Sequence, residues 1–213
     1  MERIQKLSKF FVLPALLVFV GAFAFPYGSS PVADPEIGEP APTFTLPGSD
    51  GESYSLADFE GGWVVLEWLN FGCPYVKRHY NSGNMPALQE KYIEQGVTWL
   101  SIVSSAPGKQ GYYPADEMNV QNENMGGNQT AILLDPEGHV GMSYGAVTTP
   151  HMYIIDPEGT LRYKGGIDDQ PRAPESETAN VPSYVSMALD AAMNGEEIET
   201  TVSQPYGCDV KYP

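Results

Sequence analysis

Beyond residue 42 the apolar positions of this chain come in short runs separated by turn residues. Residues 63–69 are almost wholly apolar and residues 97–104 nearly so, which predicts two strands buried on both faces, as in a parallel sheet. Between them, residues 74–95 follow a helical pattern that Asn81-Ser82-Gly83-Asn84 must break or kink. Further strands are predicted at 130–134, 152–155 and 160–163. Asp135-Pro136-Glu137-Gly138 and Asp156-Pro157-Glu158-Gly159 each supply a turn after an apolar strand. Residues 44–46 and 53–56 flank Gly48-Ser49-Asp50-Gly51 and predict a hairpin, with Ser55 placed to cap a short helical turn at 57–59. Residues 182–194 predict a closing helix ended by Gly195. Residues 106–127, rich in Gly, Asn and Tyr, read as an insertion with a short helix at 114–122. Strands alternating with helices, then a hairpin and a last helix, predict an α/β fold with a mixed sheet.

The N-terminus is different in kind. Arg3, Lys6 and Lys9 precede a sixteen-residue apolar run at 10–25, and Ala22-Phe23-Ala24 offers a small-x-small cleavage site. The run is short for a membrane span of about 20 residues. Residues 1–24 are therefore expected to be an export signal, with an uncleaved anchor as the alternative and the only route to a membrane. Residues 25–42 are expected to be a linker rich in Pro, Gly and Ser, and 43–213 one domain. Export puts the folded part in the periplasm or outside the cell, where disulfides persist.

Composition narrows the partners. Acidic residues outnumber basic ones 27 to 11, a formal charge of −16, which repels nucleic acid and keeps the surface soluble. His79, His139 and His151 are scattered without metal-ligand spacing, so neither a metal nor a cofactor is expected. Asn128-Gln129-Thr130 is a glycosylation acceptor only in a source with that machinery.

The chemistry concentrates on two cysteines. Cys73 ends the apolar run in Trp68-Leu69-Asn70-Phe71-Gly72-Cys73-Pro74, and Pro74 suits the first position of a helix. Helix N-terminal N–H groups favour thiolate over thiol, and Lys77, Arg78 and His79 lie close in sequence to help. Thr149-Pro150 directly precedes a strand, and such an X–Pro bond tolerates the cis isomer. Cys208 lies five residues from the last residue. As a resolving cysteine it would attack an oxidised Cys73; as a structural one it would pin the tail to the domain. Both readings predict one bond.

These segments carry a resemblance. Ile37-Gly38-Glu39-Pro40-Ala41-Pro42-Thr43-Phe44, residues 64–77, Leu133-Leu134-Asp135-Pro136-Glu137-Gly138, residues 144–168 and the tail 206–212 resemble the thioredoxin-like superfamily, specifically the peroxiredoxin-like (AhpC/TSA-type) redoxins. The resemblance implies a thioredoxin-like fold, a central mixed sheet flanked by helices, with Thr149-Pro150 as a cis-proline loop facing Cys73. It also implies that Glu67, six residues before Cys73, is a buried carboxylate able to shuttle protons, although a solvent-facing place at the sheet edge stays open. The chain departs from the family in two ways. No second cysteine stands at three residues from Cys73, where Asn70 and Val76 are found. Asn70 and Leu66 also replace the Thr and Pro that typical peroxiredoxins carry three and seven residues before their reactive cysteine.

The chain thus reads as an exported antioxidant or disulfide-exchange oxidoreductase acting through Cys73 and Cys208, with Asn70, Thr149, Pro150 and Glu67 as further site residues. Its substrate would be a peroxide or a protein or small-molecule disulfide, and its reductant an external thiol. The alternative is a non-enzymatic binding or scaffold module stapled by a Cys73–Cys208 bond.

Overall fold

The computed structural model describes residues 34–213. The expected export segment 1–24 lies outside the described residues. Strands β1 (Thr45–Pro47) and β2 (Ser53–Ser55) form the expected hairpin, and a single 3-10 turn (Leu56–Phe59) follows. There the Asp58 carboxylate accepts the Ser55 backbone N–H at 2.7 Å, closing the turn's N-terminus. Strand β3 (Val64–Trp68) leads to helices α1 (Pro74–Asn81) and α2 (Asn84–Glu94). The break falls at Gly83, whose φ of 76° only glycine adopts cheaply. Then come β4 (Thr98–Val103), α3 (Ala115–Met125) within the expected insertion, β5 (Ala131–Leu134), α4 (His139–Ser143), β6 (Thr148–Thr149), β7 (His151–Ile155) and β8 (Leu161–Gly165). Helices α5 (Glu175–Thr178) and α6 (Tyr184–Met193) and strand β9 (Cys208–Asp209) complete the chain.

Five strands form the central sheet in the order β5-β4-β3-β7-β8. β3, β4 and β5 run parallel, β7 runs antiparallel to β3, and β8 runs antiparallel to β7, giving the mixed α/β sheet expected. Because β3 is central and buried at every position, its alternate residues serve two cores. Val65 and Leu69 pack with Trp99 and Ile154 beneath Val76, Tyr80, Met85, Tyr92, Val185 and Leu189 of the helices. Val64, Leu66 and Trp68 pack on the other face with Leu46, Leu100, Tyr144 and Tyr153. Each such apolar side chain contributes roughly 1.5–3 kcal/mol by leaving water. Glu67, on the face of Val65, points into the core that also holds Cys73.

Part of the stretch 25–42 is tied to the domain. The N–H of Gly38 donates to Leu161 O, Leu161 N–H to Glu39 O and Ala41 N–H to Gly159 O, all within 3.0 Å, and Ala41 is buried. No helix of the described residues is long and apolar enough to cross a membrane.

Candidate active site

Strand β3 delivers the chain to a tight turn in which Cys73 N–H donates to Asn70 O at 2.9 Å. Cys73 is the N-cap of α1, with extended backbone (φ −77°, ψ 127°), and Pro74 opens the helix. Its sulfur is fully buried, 3.2 Å from the Thr149 carbonyl oxygen. The Thr149–Pro150 peptide bond is cis. Thr149 is in turn the antiparallel partner of Cys208 in the small β6–β9 ladder, which brings the Cys208 side chain against the cluster that holds Cys73, near enough for each thiol to shift the other's proton affinity. Cys73, Thr149, Pro150 and Cys208 are therefore one site, and both cysteines are free thiols.

The two thiols are unequal. Burial pushes the Cys73 thiol up, but the Cys208 thiol, the Val76 N–H at the helix start, Thr149 and the Cys208 backbone outweigh it, leaving Cys73 below its ordinary value. Cys208 is pushed up to about 12, by burial and then by the neighbouring Cys73 sulfur. The pair thus has one sulfur disposed to be thiolate and one disposed to keep its proton.

Asn70 does not face the sulfur as a free polar group. Its Oδ1 accepts Gly72 N–H at 2.8 Å and its Nδ2 donates to Gln110 O at 3.2 Å, while Gln110 Nε2 donates back to Gly72 O at 2.9 Å. The Asn70 amide thereby fastens the insertion to the turn that carries Cys73. Glu67 is fully buried on the central strand, so the sheet-edge alternative is excluded. Oε1 accepts from Tyr80 OH at 3.0 Å, and Oε2 from Trp99 Nε1, Gln89 Nε2 and Ser101 Oγ at 2.9, 3.1 and 3.1 Å. Burial pushes its carboxyl upward against these four donors.

Two of the three expected helpers of Cys73 have other work. His79 is fully buried and held neutral, its affinity for a proton pushed down to about 3 by burial and by Arg78. It adds no positive charge near the thiol. His79 and Arg78 instead meet Tyr206 on the tail, a cluster that the sequence did not disclose because its members are 127 and 128 positions apart. Among the described residues no group of three or more His, Cys, Asp or Glu side chains is assembled for a metal.

The tail itself is docked along its length. Ala106 N–H donates to Lys211 O and Val210 N–H to Val147 O, Tyr212 OH donates to Ala146 O at 2.6 Å, and Lys109 Nζ hydrogen-bonds the Tyr212 carbonyl. A Cβ at Gly207 would overlap the Thr149 carbonyl, and its φ of 146° is a conformation other residues rarely adopt. Glycine there lets the tail approach the backbone beside Cys73.

The chain is similar to proteins of thiol chemistry. Thiol-disulfide oxidoreductase ResA of Halalkalibacterium halodurans is 27% identical over 173 residues, 78% of this chain and 92% of that protein. Thiol:disulfide interchange protein DsbE of Allochromatium vinosum is also 27% identical, over 170 residues, 78% of this chain and 85% of that protein. Among solved structures, a hypothetical protein from Sinorhizobium meliloti 1021 superposes with a TM-score of 0.73 at 24% identity, covering 84% of this chain and 95% of that one. The fold is thioredoxin-like. Residues 37–164, from the docked segment before β1 into the last strand of the central sheet, match the AhpC/TSA family, and the chain belongs to that family.

Proposed function

We propose that this protein is an exported thiol–disulfide oxidoreductase whose exchanging pair is Cys73 and Cys208. One observation carries the reading: a buried cysteine at a helix start has a second free thiol brought beside it by a docked tail. The similarity to proteins named for thiol–disulfide exchange supports it.

In the forward direction Cys73 thiolate attacks one sulfur of a protein or small-molecule disulfide. A mixed disulfide forms, and the first substrate thiolate leaves and takes a proton. Cys208 then gives up its proton and attacks the Cys73 sulfur, forming the Cys73–Cys208 bond and expelling the second substrate thiolate. The substrate gains two electrons and two protons and the protein dithiol loses them. An external dithiol reductant restores the pair. Thr149 and Pro150 shape the wall against which Cys73 is held, Asn70 keeps the turn in register, and Glu67 fixes the Tyr80 side of α1 to the sheet.

The family match favours a second substrate for the same pair. With a hydroperoxide, Cys73 thiolate takes the terminal oxygen and an alcohol leaves; Cys208 then condenses with the sulfenic acid, releasing water. The Asn70 amide, engaged by Gly72 and Gln110, supports the disulfide over the peroxide.

A redox titration against glutathione, with non-reducing mass spectrometry to locate the bond, tests the reading. A Cys73–Cys208 disulfide that turns over with an external dithiol is expected. A bond with a potential below about −300 mV that no thiol reduces would instead make it a structural staple.

A further inference from the structure

Tyr206 stands two residues before Cys208, and its hydroxyl is filled in every direction. It donates to Asp168 Oδ1 at 2.7 Å and receives Arg78 Nη2 at 2.8 Å and His79 Nε2 at 3.0 Å. Arg78 Nη2 also lies 3.3 Å from His79 Nε2, but the shorter contact at the other ring nitrogen sets the tautomer. Asn84 Nδ2 donates to His79 Nδ1 at 2.9 Å, so neutral His79 carries its proton on Nε2 and points it at the phenol. Arg78 is anchored on its other nitrogen, Nη1 donating to Pro171 O at 2.7 Å and Ala173 O at 3.2 Å. The ring is also held, edge-to-face with Tyr75 at 5.8 Å. Arg78 and His79 belong to α1, the helix that Cys73 caps, and Asp168 follows β8. The hydroxyl thus ties the strap that carries Cys208 to the same helix that carries Cys73.

We infer that Tyr206 is a positioning residue for exchange between Cys73 and Cys208: its hydroxyl, clamped by Asp168, Arg78 and His79, registers the tail so that the Cys208 thiol rests on the Cys73 sulfur. The inference rests on the exchange reading above and assigns it a part outside the site residues. The clamp has two opposed consequences. It raises the effective concentration of Cys208 at Cys73, which favours the internal disulfide, and it keeps Cys73 covered against outside reagents. A tyrosine that only stabilised the fold would produce neither effect selectively.

The test is Tyr206→Phe, which keeps the ring and removes the clamped oxygen. In glutathione buffers the equilibrium constant for the Cys73–Cys208 bond is expected to fall about tenfold, a potential about 30 mV less negative. In a Cys208→Ser background, where Cys73 is the single thiol, Tyr206→Phe is expected to speed its alkylation by iodoacetamide. Tyr206→Phe protein that folds, yet keeps the disulfide equilibrium within about twofold of wild type, overturns the inference and leaves the exchange reading standing. Wild-type protein that forms no Cys73–Cys208 bond at any glutathione ratio overturns the exchange reading itself. Should Tyr206→Phe fail to fold, Asp168→Asn removes the carboxylate that orients the phenol and is read by the same two measurements.

Discussion

Thr149 and Cys208 are cross-strand partners, and Thr149 is also the residue whose carbonyl oxygen lies 3.2 Å from the Cys73 sulfur. One backbone position therefore fixes both cysteines: its oxygen faces the first thiol and its ladder bonds carry the second. The two are more than 130 residues apart in sequence. The cost of this arrangement is access, since Cys73 is wholly buried while Cys208 is only partly so.

The pair's unequal proton affinities are mutual, which makes them testable in single-thiol variants. Cys208 hydrogen-bonding lowers the Cys73 thiol, and the Cys73 sulfur raises Cys208. Cys208→Ala removes the thiol donor and is expected to move the Cys73 thiolate absorbance titration upward. Cys73→Ser is expected to move Cys208 downward from about 12 toward the ordinary thiol value. If each cysteine titrates in its single-thiol variant as it does in the wild type, the sulfurs do not meet.

Gly207→Ala attacks the tail at its closest approach to the site. The added methyl would overlap the Thr149 carbonyl, and the backbone there is strained for any residue but glycine, by about 1–3 kcal/mol. Because the tail packs at the surface, the expected outcome is local undocking with the domain intact. Faster alkylation of Cys73 with an unchanged far-UV spectrum is the measurement; a rate equal to wild type counts against a docked tail.

The core of this site was legible because local rules and tertiary roles agree there. An apolar run ending at a cysteine, followed by proline, predicts strand, cap and helix, and β3, Cys73 and α1 follow in that order. The mixed sheet was legible for the same reason: β3, β4 and β7 are buried on both faces and read as continuous apolar runs. The tail was not. A two-residue ladder between β6 and β9 has no periodicity to detect, and the Tyr206 cluster joins α1, the segment after β8 and the tail. Helices α4 and α5, of five and four residues, are too short to show a helical pattern. Charge was misleading at His79, where a basic residue near a thiol suggested activation and burial makes it neutral.

Asn70→Ala probes the insertion through its anchor. The substitution orphans the partly buried Gly72 N–H and frees Gln110 O, on an exposed residue, and is expected to destabilise the protein by roughly 1 kcal/mol. Urea unfolding measures the loss. If Asn70 only holds the turn, Asn70→Ala slows disulfide exchange and peroxide reaction alike; selective loss of peroxide reaction would give Asn70 a direct part in binding peroxide.

Glu67 sets the sign of one pH dependence. Burial raises its proton affinity in the native state, so the folded chain holds that proton at pH values where the unfolded chain has released it. Its contribution to stability is fully present below the ordinary carboxylate range. It declines as pH rises from that range through the elevated native value, and stays low beyond. Glu67→Gln removes the titration while keeping an oxygen where Trp99, Gln89 and Ser101 donate, so the difference in stability between variant and wild type should grow in the variant's favour as pH rises through that window. Glu67→Ala leaves the Tyr80, Trp99 and Ser101 donors without an acceptor in a closed core, Gln89 keeping only the Tyr80 oxygen, and is expected to cost on the order of 3 kcal/mol or more at any pH. Denaturant titrations of the three proteins across pH 4 to 9 distinguish the cases. A wild-type minus Glu67→Gln difference that is flat across the whole range would show that the carboxylate keeps an ordinary proton affinity in the fold, with its charge fully compensated by the Tyr80, Gln89, Trp99 and Ser101 donors.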